Sequence, residues 1–403
     1  MNVFIARQPI FDKVQRVVAY ELLFRSGGGS TYDSANGDEA TLNVIADALL
    51  LFGLDRLTGR KRAFVNFTEK LLKGEVLSSI PKEMITVEIL ETVAPSQEII
   101  NTCKRLKKAG YQIALDDFIF QPGYAPLFEY VDIIKVDFRQ TEGQDRRRVI
   151  EKIAAPHITY LAEKVETREE FQEALDYGYS YFQGYFFSKP ETLSRRDIPS
   201  KKNYYFQVIN EVNRPDLDFG KLEAIINRDV AFSYKLLKFI NSSSFGFMSA
   251  IKSIRQALVL IGQKDLVRWI TLLSLREYGL DKPSEIIRLS VVRAKFGELL
   301  ALKTQNREQS WDIFFLGMFS LIDALTDRPL AEILSELPID EGIKNALLDE
   351  ADQTPLRDFY QLILSYEQGD WDGLATFLAK LRIVEGDVPA AYVKAIEWAD
   401  TLI

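Results

Sequence analysis

Residues 85–118, ITVEILETVAPSQEIINTCKRLKKAGYQIALDDF, carry the pattern that decides the fold of the first half of the chain. The stretch begins and ends with β-rich runs that are nearly continuous in apolar residues, as strands covered on both faces are. Between these runs, apolar residues recur at helical spacing, with Ser96 as the expected N-cap and Gly110 as the expected stop. The stretch therefore predicts a strand, a helix and a second strand of a parallel sheet.

The same rhythm recurs from Met1 to about Pro190, with strand starts roughly every 20–30 residues. Six or more such units favour a closed α/β barrel of the TIM type over an open sheet, although spacing alone does not decide between them. No GxGxxG or GxxxxGK[ST] pattern is present, which disfavours dinucleotide-binding and P-loop folds. The other predicted strands are RAFVNF (62–67), DIIKVDF (132–138), ITYLAEKVE (158–166) and YSYFQGYFF (179–187).

The chain changes character at ETLSRRDIPSKKNYYF (191–206), which is charged and has no long apolar face. Beyond it, apolar residues recur at helical spacing almost to the end. We predict a β/α barrel over residues 1–195, a linker over 196–204 and an all-α domain over 205–403.

Composition excludes several classes of function. The 403 residues include 58 acidic and 50 basic side chains, for a net charge of −8, so direct nucleic-acid binding is not expected. A single cysteine excludes an internal disulfide, and a single histidine excludes a His-rich zinc site or an HD-type phosphohydrolase. No apolar run approaches the roughly 20 residues of a membrane span, and no signal leader is recognisable, so no membrane partner and a cytoplasmic location are expected.

Polar residues interrupt the predicted strands near their carboxyl ends, which share one face of a β/α barrel. Acidic side chains meeting there would repel one another, and a hard divalent cation is the simplest remedy. Ligands that are all oxygen favour Mg²⁺ or Mn²⁺ over zinc, and two such ions can activate a water at a phosphodiester. Solvated loop charges, or helix capping by the paired aspartates, remain alternatives. The residues are Asn66, Glu88, Asp116, Asp117, Lys135, Asp137, Glu163, Glu166 and Gln183.

Eight segments in order resemble the motif series of EAL domains, over essentially residues 1–190. That family adopts a modified TIM barrel and hydrolyses cyclic di-GMP to the linear dinucleotide pGpG, so the resemblance implies this fold, this nucleotide and two Mg²⁺ or Mn²⁺ ions if the site is active. Family barrels commonly dimerise, which makes a homodimer an expectation here. The segments are RQPIFD, YELLFR, FVNFT, VEILET, ALDDF, IIKVDF, LAEKVET and YFQGYFFSKP.

The resemblance also implies roles for individual residues. Glu21 matches the signature glutamate and, with Asn66, Glu88 and Asp116, would hold the first metal. Asp117 would serve both ions or the second one, with Asp137 nearby. The residues implied to position or deprotonate water, or to steady the catalytic site, are Lys135, Glu163 and Glu166; those implied to contact the substrate are Gln8, Arg25 and Gln183.

Three departures from the EAL pattern bear on turnover. The signature triplet reads Glu21-Leu22-Leu23, which keeps the ligand, and Leu90 replaces a usual threonine. After Asp117 the chain reads FIFQPG (118–123) where the family has a glycine-containing loop about two residues longer. Since that loop helps hold the second metal, the chain is interpreted either as a phosphodiesterase or as a cyclic di-GMP sensor that does not cut; a scaffold without nucleotide is a third reading.

Residues 226–275 resemble HDOD domains, helical relatives of HD phosphohydrolases. The positions matching the histidine–aspartate pair of those enzymes are Ser320 and Leu321, and no histidine follows residue 157. The helical half is therefore predicted to be a non-catalytic module that regulates the barrel or binds a protein partner.

Overall fold

The computed structural model describes residues 3–26, 53–74, 77, 80–119, 122–188, 200–241, 251, 253, 256, 263–349 and 353–402. Within these residues, no helix is both long and apolar enough to cross a membrane. Contacts divide the chain into two compact units. The first comprises Met1–Lys189, Lys295–Trp311 and Asp358–Ile403; the second comprises Pro190–Ala294 and Asp312–Arg357. This division is discontinuous in sequence, whereas the predicted one is continuous, and residues 196–199 of the predicted linker lie outside the described part.

The first unit contains a closed eight-stranded barrel, which confirms the predicted α/β fold. Strand β1 pairs antiparallel with both β2 and β8, and the remaining neighbours pair in parallel. The side chain of Asp12 stabilises the β1–β2 turn by accepting hydrogen bonds from the backbone N–H groups of Val14 and Arg16. The strands are β1 Val3–Phe11, β2 Val17–Ser26, β3 Arg62–Phe67, β4 Ile85–Ile89, β5 Gln112–Leu115, β6 Ile133–Asp137, β7 Thr159–Glu163 and β8 Tyr181–Phe182.

Short helices follow most of the parallel strands. In α3 the predicted ends are confirmed: Ser96 Oγ accepts from the Ile99 N–H at 3.3 Å, and Gly110 adopts φ 94°, a left-handed conformation that suits glycine. The helices between the strands are α1 Leu54–Thr58, α2 Glu69–Lys73, α3 Gln97–Ala109, α4 Gln144–Ile153 and α5 Arg168–Tyr177.

The rest of the described chain is helical, as predicted. Short 3₁₀ turns punctuate both halves and include Pro122–Leu127 and Phe186–Ser188. The α-helices are α6 Ser200–Val212, α7 Phe219–Ile226, α8 Val230–Ile240, α9 Gln263–Tyr278, α10 Ser284–Ala301, α11 Ser310–Phe319, α12 Ile322–Thr326, α13 Leu330–Glu336, α14 Glu341–Leu348, α15 Pro355–Gln368, α16 Trp371–Leu381 and α17 Val388–Asp400.

The C-terminal helices of the first unit pack on strand β1. The fully buried hydroxyl of Tyr366, on α15, donates to the Ile5 carbonyl at 2.8 Å and accepts from the Ile5 N–H at 3.3 Å. The ring of Phe4 packs against Tyr366 and Trp371. The end of the chain thus covers the first strand of the barrel.

Replacing Tyr366 with phenylalanine is expected to lower the free energy of unfolding by about 1–2 kcal/mol, because two backbone groups of Ile5 lose their buried partner. Chemical denaturation with Tyr234→Phe as control tests this, since Tyr234 is 64% exposed and loses no buried contact. Equal stability of the two variants would contradict the inferred role of the hydroxyl.

The single cysteine, Cys103, is buried in α3. Burial raises the pKa of its thiol to about 11, so the reactive thiolate is scarce at pH 8. We expect a maleimide or disulfide reagent to modify Cys103 only after denaturant unfolds the barrel. Rapid labelling of the native protein at pH 8 would show that the thiol is accessible.

Candidate active site

The barrel interior explains why the predicted site residues converge. Alternate residues of a strand point to the same face. The apolar cluster inside the barrel contains Ala19, Phe64, Ala114, Ile133 and Leu161, each two positions before a predicted site residue. On the antiparallel strand β1 the order is reversed. The pairs are Ile10 with Gln8, Ala19 with Glu21, Phe64 with Asn66, Ala114 with Asp116, Ile133 with Lys135, Leu161 with Glu163, and Tyr181, packed on the cluster, with Gln183.

Lys135 lies at the centre of this polar layer and is fully buried. Its Nζ lies 2.7 Å from Glu163 Oε1, 2.9 Å from Asp116 Oδ1 and 3.4 Å from Glu21 Oε2. It also forms an ion pair with Glu88, which is fully buried. One ammonium therefore faces four carboxylates, which leaves the layer short of positive charge.

Amide side chains orient Glu21. Asn66 Nδ2 donates to Glu21 Oε1 at 3.2 Å, and Gln183 Nε2 donates to Glu21 Oε2 at 2.6 Å. The same Gln183 nitrogen donates to Gln8 Oε1 at 2.9 Å, and Gln8 is the β1 residue paired with Glu21 across the sheet. Amide donors on β3 and directly after β8 thus hold the predicted ligand.

Several buried oxygens of this layer have no hydrogen-bond partner within the described residues. A buried acceptor without a donor costs about 1–3 kcal/mol, so clustering of such atoms indicates a missing positive group. Oxygens of Glu21, Glu88 and Glu163 lie within 4.8 Å of one another, as do oxygens of Asp116, Asp117 and Glu163. Oxygen donors at this spacing fit a hard divalent cation. The unpartnered atoms include Asn66 Oδ1, Glu88 Oε2, Glu163 Oε2 and Gln183 Oε1.

Burial and mutual repulsion set the protonation of the layer. Burial raises the pKa of Glu88 and Glu163 well above the usual value, and the neighbouring carboxylates add to this effect while Lys135 opposes it. Burial acts to lower the pKa of Lys135, but the four surrounding carboxylates outweigh it and raise that pKa well above its usual value. The lysine is therefore protonated, and an added cation would favour the ionised carboxylates.

A second group of charges lies beside the first and includes a residue that sequence reasoning missed. Lys164 Nζ is 2.5 Å from Asp137 Oδ2 and 3.5 Å from Asp117 Oδ2. The other oxygen of Asp137 accepts from the backbone N–H groups of Arg139 and Gln140 at 2.7 and 3.3 Å. Asp137 is therefore already bonded at both oxygens and does not belong to either oxygen group that could hold a metal. The one sequence feature that could have identified Lys164 as a site residue is its position directly after Glu163.

The hydrogen bonds of Asp137 alter its acidity. Burial alone would raise its pKa, but the bond from Lys164 and those from the backbone N–H groups together lower it. Burial raises the pKa of Asp117, and the adjacent Asp116 adds to the effect. Glu166 forms an ion pair with the exposed Arg139, so its place is at the edge of this group.

The predicted nucleotide contact Arg25 lies on β2, four residues after Glu21 and on the same face of the strand. Its Nη1 is 3.4 Å from Asp372 Oδ1, on α16. The structure thus places the side-chain carboxylate of Asp372 beside this arginine. The two residues are 347 positions apart, so no local sequence pattern indicates the contact.

The altered loop after Asp117 starts from a fixed position. The Phe118 N–H donates to the Lys135 carbonyl at 2.9 Å, and the Phe118 ring is buried between Tyr124 and Phe128. Ile119 is 57% exposed, and residues 120–121 lie outside the described part. The predicted effect of this loop on turnover stays a prediction.

Comparison with known proteins matches an EAL domain to residues 60–190 and an HDOD domain to residues 198–325. The uncharacterized protein YuxH of Bacillus subtilis (strain 168) is 38% identical over 414 residues, which cover 100% of this chain and 99% of YuxH. The cyclic di-GMP phosphodiesterase CdgJ of Vibrio cholerae is 34% identical over 403 residues, covering 99% of this chain and 93% of CdgJ. The chain belongs to the EAL–HDOD proteins.

Solved EAL structures resemble part of this EAL–HDOD chain. A manganese and cyclic di-GMP complex of Klebsiella pneumoniae BlrP1 is 25% identical, covers 46% of this chain and 55% of its own, and has a TM-score of 0.39. Bacillus subtilis YkuI, in complex with cyclic di-GMP and calcium, is 20% identical, covers 58% of this chain and 72% of its own, and has a TM-score of 0.39.

In the HDOD half, the two positions predicted to match the histidine–aspartate pair, Ser320 and Leu321, are buried. Ser320 Oγ donates to the Gly317 carbonyl at 2.8 Å and accepts from Arg293 at 3.1 Å, and Leu321 is 6% exposed. Gly317 lies so close to Ala294 that an added Cβ would be 2.3 Å from its backbone nitrogen. The side chains at these positions therefore make packing and hydrogen-bond contacts within the helical unit.

Proposed function

We propose that this protein is a phosphodiesterase that hydrolyses cyclic di-GMP to pGpG with Mg²⁺ or Mn²⁺. The observation that carries the proposal is the buried layer of carboxylates with unpartnered oxygens around Lys135. The full-length similarity to CdgJ, named for this activity, supports it.

The residues proposed to hold metal are those that the EAL resemblance implies, and all but Asn66 lie in the two oxygen groups. Glu21, Asn66, Glu88 and Asp116 are proposed for the first ion, while Asp117 would serve a second ion or both. A divalent cation at this place supplies a Lewis acid that lowers the pKa of water and stabilises charge on phosphate oxygens. Asp137 is proposed to lie beside the metal ligands and to hold Lys164, since both of its oxygens already accept hydrogen bonds.

The chain's own groups would accept the proton of the attacking water and orient the reacting groups. Glu163 has one oxygen on Lys135 and one unpartnered oxygen, which can accept the proton of the attacking water. The water oxygen forms a bond to phosphorus, the bond to the ribose 3′ oxygen breaks, and that oxygen takes up a proton from solvent. Lys135 fixes Glu163 for this step, and Glu166 is proposed to steady the edge of the site through Arg139.

Substrate contacts are proposed for the remaining residues. Arg25 can pair with a phosphate oxygen through its planar guanidinium. Gln8 and Gln183 are bonded to each other, and Gln183 retains a buried oxygen for a donor of the nucleotide.

The HDOD half is proposed to be a regulatory module that binds a protein partner, since its counterpart of the HD pair is filled by Ser320 and Leu321. A cytoplasmic location and a homodimer are further parts of the proposal that rest on sequence pattern and family resemblance. A cyclic di-GMP sensor without turnover is the second candidate, favoured by the changed loop at Ile119.

The test is incubation of the full chain with cyclic di-GMP and Mg²⁺ or Mn²⁺, with pGpG followed by chromatography beside an equilibrium binding titration. Metal-dependent formation of pGpG is expected. Binding of cyclic di-GMP without turnover in either metal would show that the protein is a sensor. If the protein neither binds nor hydrolyses cyclic di-GMP, the scaffold interpretation is the one that stands.

A further inference from the structure

Lys164 has an unusual backbone conformation for its residue type. Its φ is +53°, in the left-handed region that side chains other than glycine, asparagine and aspartate rarely adopt. The residue directly follows Glu163 at the end of β7, and the turn there is fixed by the hydrogen bond from the Val165 N–H to the Gln183 carbonyl at 3.0 Å. The left-handed residue therefore lies between the end of β7 and a backbone hydrogen bond to the end of β8.

The ammonium of Lys164 lies among carboxylates of the site. It is 2.5 Å from Asp137 Oδ2 and 3.5 Å from Asp117 Oδ2, while the side chain as a whole is 45% exposed. Asp137 is 3% exposed and has backbone donors on its other oxygen, so it is a fixed anchor for this ammonium. Asp117 belongs to the oxygen group with Asp116 and Glu163.

A positive charge at this place has a consequence for cation binding. Asp117, which lies in the oxygen group with Asp116 and Glu163, is the residue that would hold a second divalent ion under the proposed function. An ammonium beside Asp117 neutralises part of the charge that would attract that ion and repels a cation bound nearby. The first oxygen group, formed by Glu21, Glu88 and Glu163, has the buried Lys135 as its own cation.

We infer that Lys164 acts as a built-in substitute for the second divalent cation, so that this site binds one Mg²⁺ or Mn²⁺ tightly and a second one at least about tenfold more weakly. The inference rests on the proposed metal site and deepens it. Lys164 is a positioning residue: it sets the charge and the place of Asp117 and Asp137 without touching the reacting atoms.

The test counts bound Mn²⁺ in the absence of nucleotide, from the electron paramagnetic resonance signal of free Mn²⁺ during titration of the full chain. One tight ion per chain is expected for the native protein. Lys164→Met removes the charge while keeping the length of the side chain, and a second ion is expected to bind at least about tenfold more tightly than before. Lys164→Arg retains the charge and is expected to keep one tight ion, and Lys108→Met, an exposed substitution on α3, controls for loss of a surface charge.

The outcomes separate this inference from the proposed function. Two tight ions in the native chain would overturn the role of Lys164 while leaving the metal site intact, and so would a second affinity that is unchanged in a folded Lys164→Met. If Lys164→Met does not fold, the native and Lys164→Arg stoichiometries decide. Absence of any tight Mn²⁺ in all variants would overturn both the metal site and the inference drawn on it.

Discussion

Replacing Glu21 with alanine is expected to lower the rate of cyclic di-GMP hydrolysis by about a thousandfold or more, equivalent to ~4 kcal/mol of transition-state stabilisation. Glu21 is 6% exposed, receives hydrogen bonds from Asn66 and Gln183, and contributes to the oxygen group with Glu88 and Glu163. Its loss removes a charged ligand, leaves the Asn66 amide donor without this acceptor and leaves Gln183 Nε2 bonded to Gln8 alone. The steady-state rate of pGpG formation at saturating Mn²⁺ is the measurement.

A matched control is Glu151→Ala, which removes a carboxylate from the exposed face of α4, where it pairs only with Arg147 in the described contacts. This variant is expected to keep the native rate. Hydrolysis by Glu21→Ala at the rate of Glu151→Ala would show that the metal assignment is wrong. Circular dichroism of both variants separates loss of the site from loss of the fold.

Replacing Lys135 with methionine is expected both to abolish turnover and to destabilise the metal-free protein by about 3–5 kcal/mol, the usual cost of removing one partner from a buried ion pair. Four carboxylates then lose their shared ammonium inside the barrel. For a unit of this size the melting temperature should fall by about 10 °C. Added Mn²⁺ should restore more stability to this variant than to the native chain, because the cation would replace the missing charge.

The control for Lys135 is Lys73→Met. Lys73 also lies between two carboxylates, with Nζ 2.6 Å from both Glu69 and Glu98, but it does so at the surface. Surface ion pairs contribute little, so its melting temperature should stay near that of the native protein. Equal melting temperatures for the two lysine variants without metal would disprove the role of Lys135 as the buried counter-charge.

The strands β3 to β8 could be predicted because strands with both faces covered appear as apolar runs bounded by turns. The convergence of the polar side chains could be predicted because the carboxyl ends of the parallel strands of a β/α barrel share one face. The apolar pattern does not predict strands β1 and β2, since polar residues such as Arg7 and Gln8 interrupt it.

Other features were beyond the reach of sequence. The contact of Lys164 with Asp137 depends on a left-handed backbone turn, and lysine is not a residue that signals one. The grouping of residues 358–403 with the barrel could not be predicted either, because the apolar periodicity of a helix is the same whichever unit it packs against. The pairing of Arg25 with Asp372 follows from that packing.

The bonds between Tyr366 and Ile5 also constrain when the barrel can be finished during synthesis. They join residues 361 positions apart, so neither can form until Tyr366 has left the ribosome. Contacts between such distant positions form late, since closing a long loop costs entropy before the contact repays it. Strand β1 is therefore covered long after it is made, and a nascent chain that stalls within the HDOD half exposes the β1 surface that α15 would cover, which makes it prone to aggregation.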